Sequence, residues 1–120
     1  MNQIIQINDF PPTLNALNNM HFMVRAKLKE KWETTVSEAC RTHDTQPMVK
    51  VSITLEFFFA DKRRRDPDNY AFSAKFLLDG LVKAGIITDD SFNEVVELRI
   101  VKSQTISKPA HILMHLQEVS

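Results

Sequence analysis

From Met48 to Phe59 the chain alternates: Val49, Val51, Ile53, Leu55, Phe57 and Phe59 fall on one side, Lys50, Ser52, Thr54 and Glu56 on the other. A two-residue period is what a β-strand with one buried face writes into a sequence, so this stretch predicts a strand. Upstream, residues 2–8 (NQIIQIN) predict a short first strand, closed by Phe10-Pro11-Pro12, where two prolines withhold ladder donors. Between Thr13 and His43 there is neither Gly nor Pro. Val24, Leu28, Trp32, Val36 and Ala39 recur there at helical spacing, interleaved with Arg25, Lys27, Lys29 and Lys31. That pattern predicts a long amphipathic helix, frayed or broken near its start.

After the alternating strand, DPDNYAFSAKFLLDGLVKAG carries a helix start and a helix stop. Asp66 or Asp68 can serve as N-cap, Pro67 suits the first turn, Lys83 sits where the helix dipole favours a cation, and Gly85 can take a left-handed cap. Phe92–Lys102 and His111–Val119 predict two more strands, and the residues between them, with Ser107 and Pro109, fit an antiparallel hairpin loop. The order β-α-β-α-β-β predicts an α/β (α+β) fold, a mixed sheet packed with two main helices, in a single domain over residues 1–120.

Composition narrows the function classes. With 43% hydrophobic and 25% charged residues the chain has the make-up of a globular domain. No apolar run approaches the roughly 20 residues that span a bilayer, and MNQIIQINDF lacks the regions of a signal peptide, so a cytoplasmic address and no membrane partner are expected. Cys40 is the single cysteine, which rules out an internal disulfide and a thiolate-built zinc site, and reads as a small apolar side chain on a helix. His21, His43, His111 and His115 have no Cys or Glu at metal-ligand spacing and read as surface or packing residues. Gly80 and Gly85, the two glycines, cannot build a phosphate-cradling loop, so no small-molecule cofactor is expected.

The formal net charge is zero, but its placement is uneven. Residues 1–65 hold ten Lys+Arg against seven Asp+Glu, and residues 66–120 hold five against eight. The sign changes inside DKRRRDPDN, where Lys62, Arg63, Arg64 and Arg65 run directly into Asp66 and Asp68. Phosphate is attracted by the local field, which is screened beyond about 8–10 Å, so neutrality overall leaves a nucleic-acid partner open.

Proline biases the residue before it towards extended backbone, in which residues i and i+2 point the same way. Asp66 and Asp68 should therefore present both carboxylates on one side, between a strand end and a helix start. Such a pair either shifts one pKa upward or recruits a cation, and hard oxygen donors suit Mg2+ or Mn2+. A second acidic pair, Asp89-Asp90, follows the same helix, and the loop can carry Asp90 back beside the strand. The bland reading is that both pairs are helix caps and turn residues, which Asp favours. An EF-hand is a poor alternative, since a calcium loop from Asp66 would lack its central Gly and place Leu77 where the bidentate Glu belongs. Asp68, Lys75 and Asp79 form one polar stripe if the helix is continuous. Lys75 is then a phosphate ligand or half of a Lys75–Asp79 surface ion pair.

These residues resemble the RusA-type Holliday junction resolvases (crossover junction endodeoxyribonucleases). The likeness lies in R-R-R-D-x-D-N, K-x-x-L-D-G-L-x-K-A-G and the Asp pair before a strand, within residues 61–102, and in the early PPTLN at Pro11–Asn15. The length and element order agree over the whole chain. The resemblance implies a homodimeric, Mg2+-dependent endonuclease that nicks opposite strands of a four-way DNA junction symmetrically. Its metal ligands would be Asp66, Asp68 and Asp90, its functional lysine Lys75 and its arginine Arg65. Beside them the basic run itself, Lys62, Arg63, Arg64 and Arg65, is read as DNA-binding, against the phosphate backbone. The seven-residue interval from Asp68 to Lys75 is about three longer than the family's. Three residues add almost a full turn and about 4.5 Å of rise, so Lys75 keeps roughly the same face further along the axis, and Phe72 takes the family's lysine position. The readings that stand beside this one are a junction-binding module of the same fold without catalysis, and a nuclease acting on other branched DNA.

Overall fold

The computed structural model describes all of residues 1–120. Its elements are β1 (Asn2–Ile7), α1 (Leu14–Asn18), α2 (Phe22–Thr42), β2 (Val51–Phe58), α3 (Pro67–Ala71), α4 (Ala74–Lys83), β3 (Val95–Lys102) and β4 (His111–Glu118). The strands form one mixed sheet in the order β1-β4-β2-β3, with β4 antiparallel to both β1 and β2 and β3 parallel to β2. This is the expected α+β arrangement, with α2 and α4 as the main helices. No helix is long and apolar enough to cross a membrane.

The two-residue period of β2 places Val51, Ile53, Leu55 and Phe57 in the core, the last three in register with Leu116, Met114 and Ile112 of β4. Ile5 and Ile7 of β1 join them, and Trp32, Val36 and Cys40 of α2 and Leu77 and Leu81 of α4 close the core from the helical side. The helices meet at Gly80, where an added Cβ would lie 2.5 Å from Val36 Cβ, so only glycine permits this approach. Gly85, at φ +79°, takes the left-handed position after α4.

Two expectations need correction. β3 and β4 do not form a hairpin: they lie on opposite sides of β2, and the connecting loop crosses the end of that strand. Two strand spacings amount to about 10 Å, a gap that eight residues span easily. The crossing is fixed by Ser103 N–H donating to Phe57 O (2.8 Å) and Ser107 N–H to Phe59 O (3.0 Å). The first long helix is broken near its start, as expected, at residues 19–21, where His21 caps α2 by accepting from Met23 N–H at Nδ1 (3.2 Å); the first turn of α2 stands clear of the core, with Val24 exposed. The second is also two helices, α3 and α4, so Asp68, Lys75 and Asp79 do not share one continuous stripe. The link tightens into i→i+3 bonds, Ser73 N–H to Tyr70 O and Lys75 N–H to Phe72 O, which turn the chain further per residue than an α-helix does. Val49 is a smaller miss: the strand begins only at Val51, and Val49 is 79% exposed.

Candidate functional site

β2 ends at Phe58, and the chain leaves the sheet through the basic run. In sequence the four cations look equivalent; in the structure Asp61 divides them. Asp61 Oδ1 accepts from Arg63 N–H (3.0 Å) and Arg65 Nη2 (2.8 Å), and Arg63 Nε lies 3.3 Å from Oδ2. Arg65 also donates from Nη1 to the carbonyls of Asp61 (3.2 Å) and Arg63 (3.0 Å) and stacks over Phe59, 4.2 Å from the ring centroid. Its side chain is only 15% exposed, against 90% for Arg64. Arg65 is therefore an internal strut of the loop, whereas Lys62 and Arg64 point outward. The Arg63 amide, then the Arg65 guanidinium, hold the Asp61 carboxyl down to about 2.

Asp66 follows at the N-cap position of α3, with φ −101° and ψ 128°, the extended conformation imposed by Pro67. Its carboxylate makes no cap bond and instead pairs with Arg64 Nη2 at 3.4 Å. Asp68 lies in the first turn, where its Oδ1 accepts from Asn69 N–H at 3.0 Å. The short helix that carries both aspartates is clamped by PPTLN. Asn69 Oδ1 accepts from Asn15 N–H (3.0 Å), and the buried Ser73 hydroxyl donates to the carbonyls of Pro11 (3.2 Å) and Pro12 (3.0 Å). Sequence reasoning missed Asp61, Asn69 and Ser73 as organisers. The available signal was a buried-face serine in an otherwise apolar helical run, and an acid four residues before one particular arginine.

Asp90 sits beyond α4. Asp90 N–H donates to Asp89 Oδ1 (2.8 Å), which leaves Asp89 in a local turn and Asp90 facing α4. Its Oδ2 lies 3.3 Å from Lys75 Nζ, and the same ammonium lies 2.9 Å from Asp79 Oδ1. Asp79 first, and Asp90 after it, raise the Lys75 pKa. The surface-pair reading of Lys75–Asp79 is thus present, together with a contact to the proposed third ligand.

The structure brings Asp66 and Asp68 to one helix start and Asp90 to Lys75. It gathers no group of three or more His, Cys, Asp or Glu into a metal-holding set. In kind the donors fit a hard divalent cation, since carboxylate oxygens are the ligands Mg2+ and Mn2+ take. Beside Asp66 opens a cleft of about 420 Å3 whose floor holds Phe57, Phe59 and Tyr70, three rings packed edge to face or stacked. Its rim carries Lys62, Arg63 and Arg64. The cationic rim suits a phosphate, and Tyr70 is the one ring of the three that is more than marginally exposed.

The other candidates lie elsewhere. Cys40 is buried in α2, and burial pushes its thiol up to about 11. His111 stacks on Phe58 (centroids 4.4 Å apart) and His115 pairs with Glu56 at 3.0 Å, both on the sheet face away from the core. Compared with known proteins, the chain matches no family model and no curated sequence.

Proposed function

We propose that this chain is a structure-selective endodeoxyribonuclease of the RusA type, resolving four-way DNA junctions by Mg2+-dependent phosphodiester hydrolysis with paired symmetric nicks. The observation that carries this reading is the junction of Asp66-Pro67-Asp68 with the outward cations Lys62 and Arg64, at the mouth of an aromatic-floored cleft. Asp66, Asp68 and Asp90 would hold Mg2+, or Mn2+ in its place, which when bound polarises a phosphate and acidifies a water. Lys62, Arg63 and Arg64 bind flanking phosphates, and Arg65 holds the loop that presents them. Lys75, once drawn from its carboxylate partners, offsets the charge that develops on the reacting phosphate. A four-way junction has two-fold symmetry, so a homodimer offering two sites suits paired cuts. A cytoplasmic setting accords with this role.

The test is Asp68→Asn on a synthetic four-way junction with Mg2+. Binding without cleavage supports the reading, and undiminished cleavage removes it. One observation favours a second reading, a branched-DNA-binding module of the same fold without catalysis: the Lys75 ammonium is held by Asp79 and Asp90 rather than free for a phosphate. Mg2+-dependent nicking by the wild type would dispose of that module. A panel of flaps, forks and junctions separates junction resolution from cutting of other branched DNA.

A further inference from the structure

The cleft beside Asp66 does not end at Lys62. A second chamber of about 350 Å3 lies between the loop after β2 and the loop after β3, walled by Asp61, Ser103, Gln104 and Thr105. Phe59, Lys62 and Lys102 line both chambers, which makes them one groove with two lysines at its middle. Each chamber has the size of a small-ligand site, roughly 300–1,000 Å3.

The second wall is tied to the end of β2. Lys102 ends β3 in register with Phe57, and Ser103 N–H, Ser107 N–H and Thr105 N–H bond to Phe57 O, Phe59 O and Ser103 Oγ respectively. Charge within the groove is unbalanced. Arg63, Arg64 and Arg65 each have an aspartate partner, whereas neither Lys62 nor Lys102 takes part in any ion pair. Two ammonium groups at the centre of one groove repel each other and attract an anion. Tyr70, half-buried beside them, offers an aromatic ring to a base, whereas Phe59 lies buried beneath the Arg65 guanidinium. A nucleic-acid strand supplies both, phosphates for the lysines and a base face for Tyr70, provided the bases are unpaired.

We propose that this groove holds a single-stranded stretch of nucleic acid running from the Asp66 end towards the loop after β3, with Lys102 as a phosphate-binding residue beside Lys62. The proposal deepens the nuclease reading and rests on it for the direction of the strand. It implies that substrates with unpaired nucleotides next to the reacting phosphate, as at a branch point, are bound better than continuous duplex.

The experiment measures fluorescence anisotropy of labelled oligothymidine and of a blunt duplex of equal length, in EDTA, across a salt series. Wild-type protein is expected to bind the single strand more tightly than the duplex. Lys102→Ala is expected to lower single-strand affinity about tenfold and to make the plot of log K against log salt shallower by about 0.7, the amount one phosphate contact contributes on a single strand. Lys102→Arg restores the slope, and Lys27→Ala, exposed on α2, leaves it unchanged. A wild-type slope and affinity in Lys102→Ala overturns the proposal, as does duplex binding equal to or tighter than single-strand binding. If Lys102→Ala binds normally while Asp68→Asn still abolishes junction cleavage, the groove fails and the nuclease reading stands. If the wild type binds no DNA, both fall.

Discussion

The Lys75 ammonium lies 3.3 Å from the Asp90 carboxylate, so the residue proposed to assist at the phosphate is paired with the residue proposed as third metal ligand. A cation at that distance competes with any other for the same oxygens. Lys75→Ala is therefore expected to tighten Mn2+ binding even as it lowers nicking. Because Lys75 is largely exposed, the pair is worth about 1 kcal/mol, roughly a fivefold change in Kd. Titration calorimetry with Mn2+ checks this; an unchanged affinity would separate Asp90 from the metal.

Gly80 and Val36 set the distance between α4 and α2. Gly80→Ala places a methyl 2.5–2.9 Å from the Val36 side-chain carbons. Overpacking typically costs about 1–3 kcal/mol, more than the gain of up to about 1 kcal/mol from replacing a helical glycine. A net loss of about 1–2 kcal/mol is expected in urea unfolding. In a Val36→Gly background, which removes the Cβ and both methyls that the new methyl meets, the cost of Gly80→Ala should shrink, because the two changes share one contact.

Ser73→Ala removes the one donor that the Pro11 and Pro12 carbonyls share. Buried groups left without a partner cost about 1–3 kcal/mol, and a loss near 1–2 kcal/mol is expected. Since Ser73 fastens the segment that carries Asp66 and Asp68, junction cleavage should fall further than the loss of folded protein explains. Parallel unfolding and single-turnover measurements read the two effects separately.

Asp61 titrates at about 2 in the folded chain, against an ordinary value of 3.8. A depressed carboxyl lends stability at pH values above the unfolded value, and that contribution is lost as pH falls from about 4 towards 2. Carbon-13 NMR of the Asp61 carboxyl should show a midpoint near 2. In Arg65→Gln it should rise towards 3.8, though not the whole way, because the Arg63 amide still donates.

The alternation of β2 was legible because a half-buried strand repeats every two residues whatever surrounds it, and Asp66 was legible because Pro67 dictates its backbone locally. The break near the start of the first long helix was expected, and His21 folding back to cap α2 fixes its place. The break between α3 and α4 was not legible: neither Gly nor Pro marks it, and it follows from Ser73 bonding to Pro11 and Pro12, 62 and 61 positions away. The position of β4 was hidden for a related reason. A hairpin and a crossover over one strand need similar loop lengths, and what decides is whether Ile112, Met114 and Leu116 find more apolar surface between β1 and β2 than at the far edge. In the basic run four like residues give no hint of unequal duties until Asp61, four residues before Arg65, is seen to take one of them inward. The meeting of Asp90 with Lys75 depends on the loop after α4, which no local rule specifies.

The placement of β4 has a consequence for the order of assembly. The strand furthest along the sequence is an interior strand, bonded to β1 on one side and β2 on the other. Until β4 has left the ribosome, β1 has no neighbour and the flank of β2 is bare, however well α2 has formed. The pairing of Asn2 with Gln117, from opposite ends of the chain, is therefore a late event, and contacts of such sequence separation slow folding. A chain stopped short of His111 would be missing the middle of its sheet, with two unpaired strand edges facing each other across the gap.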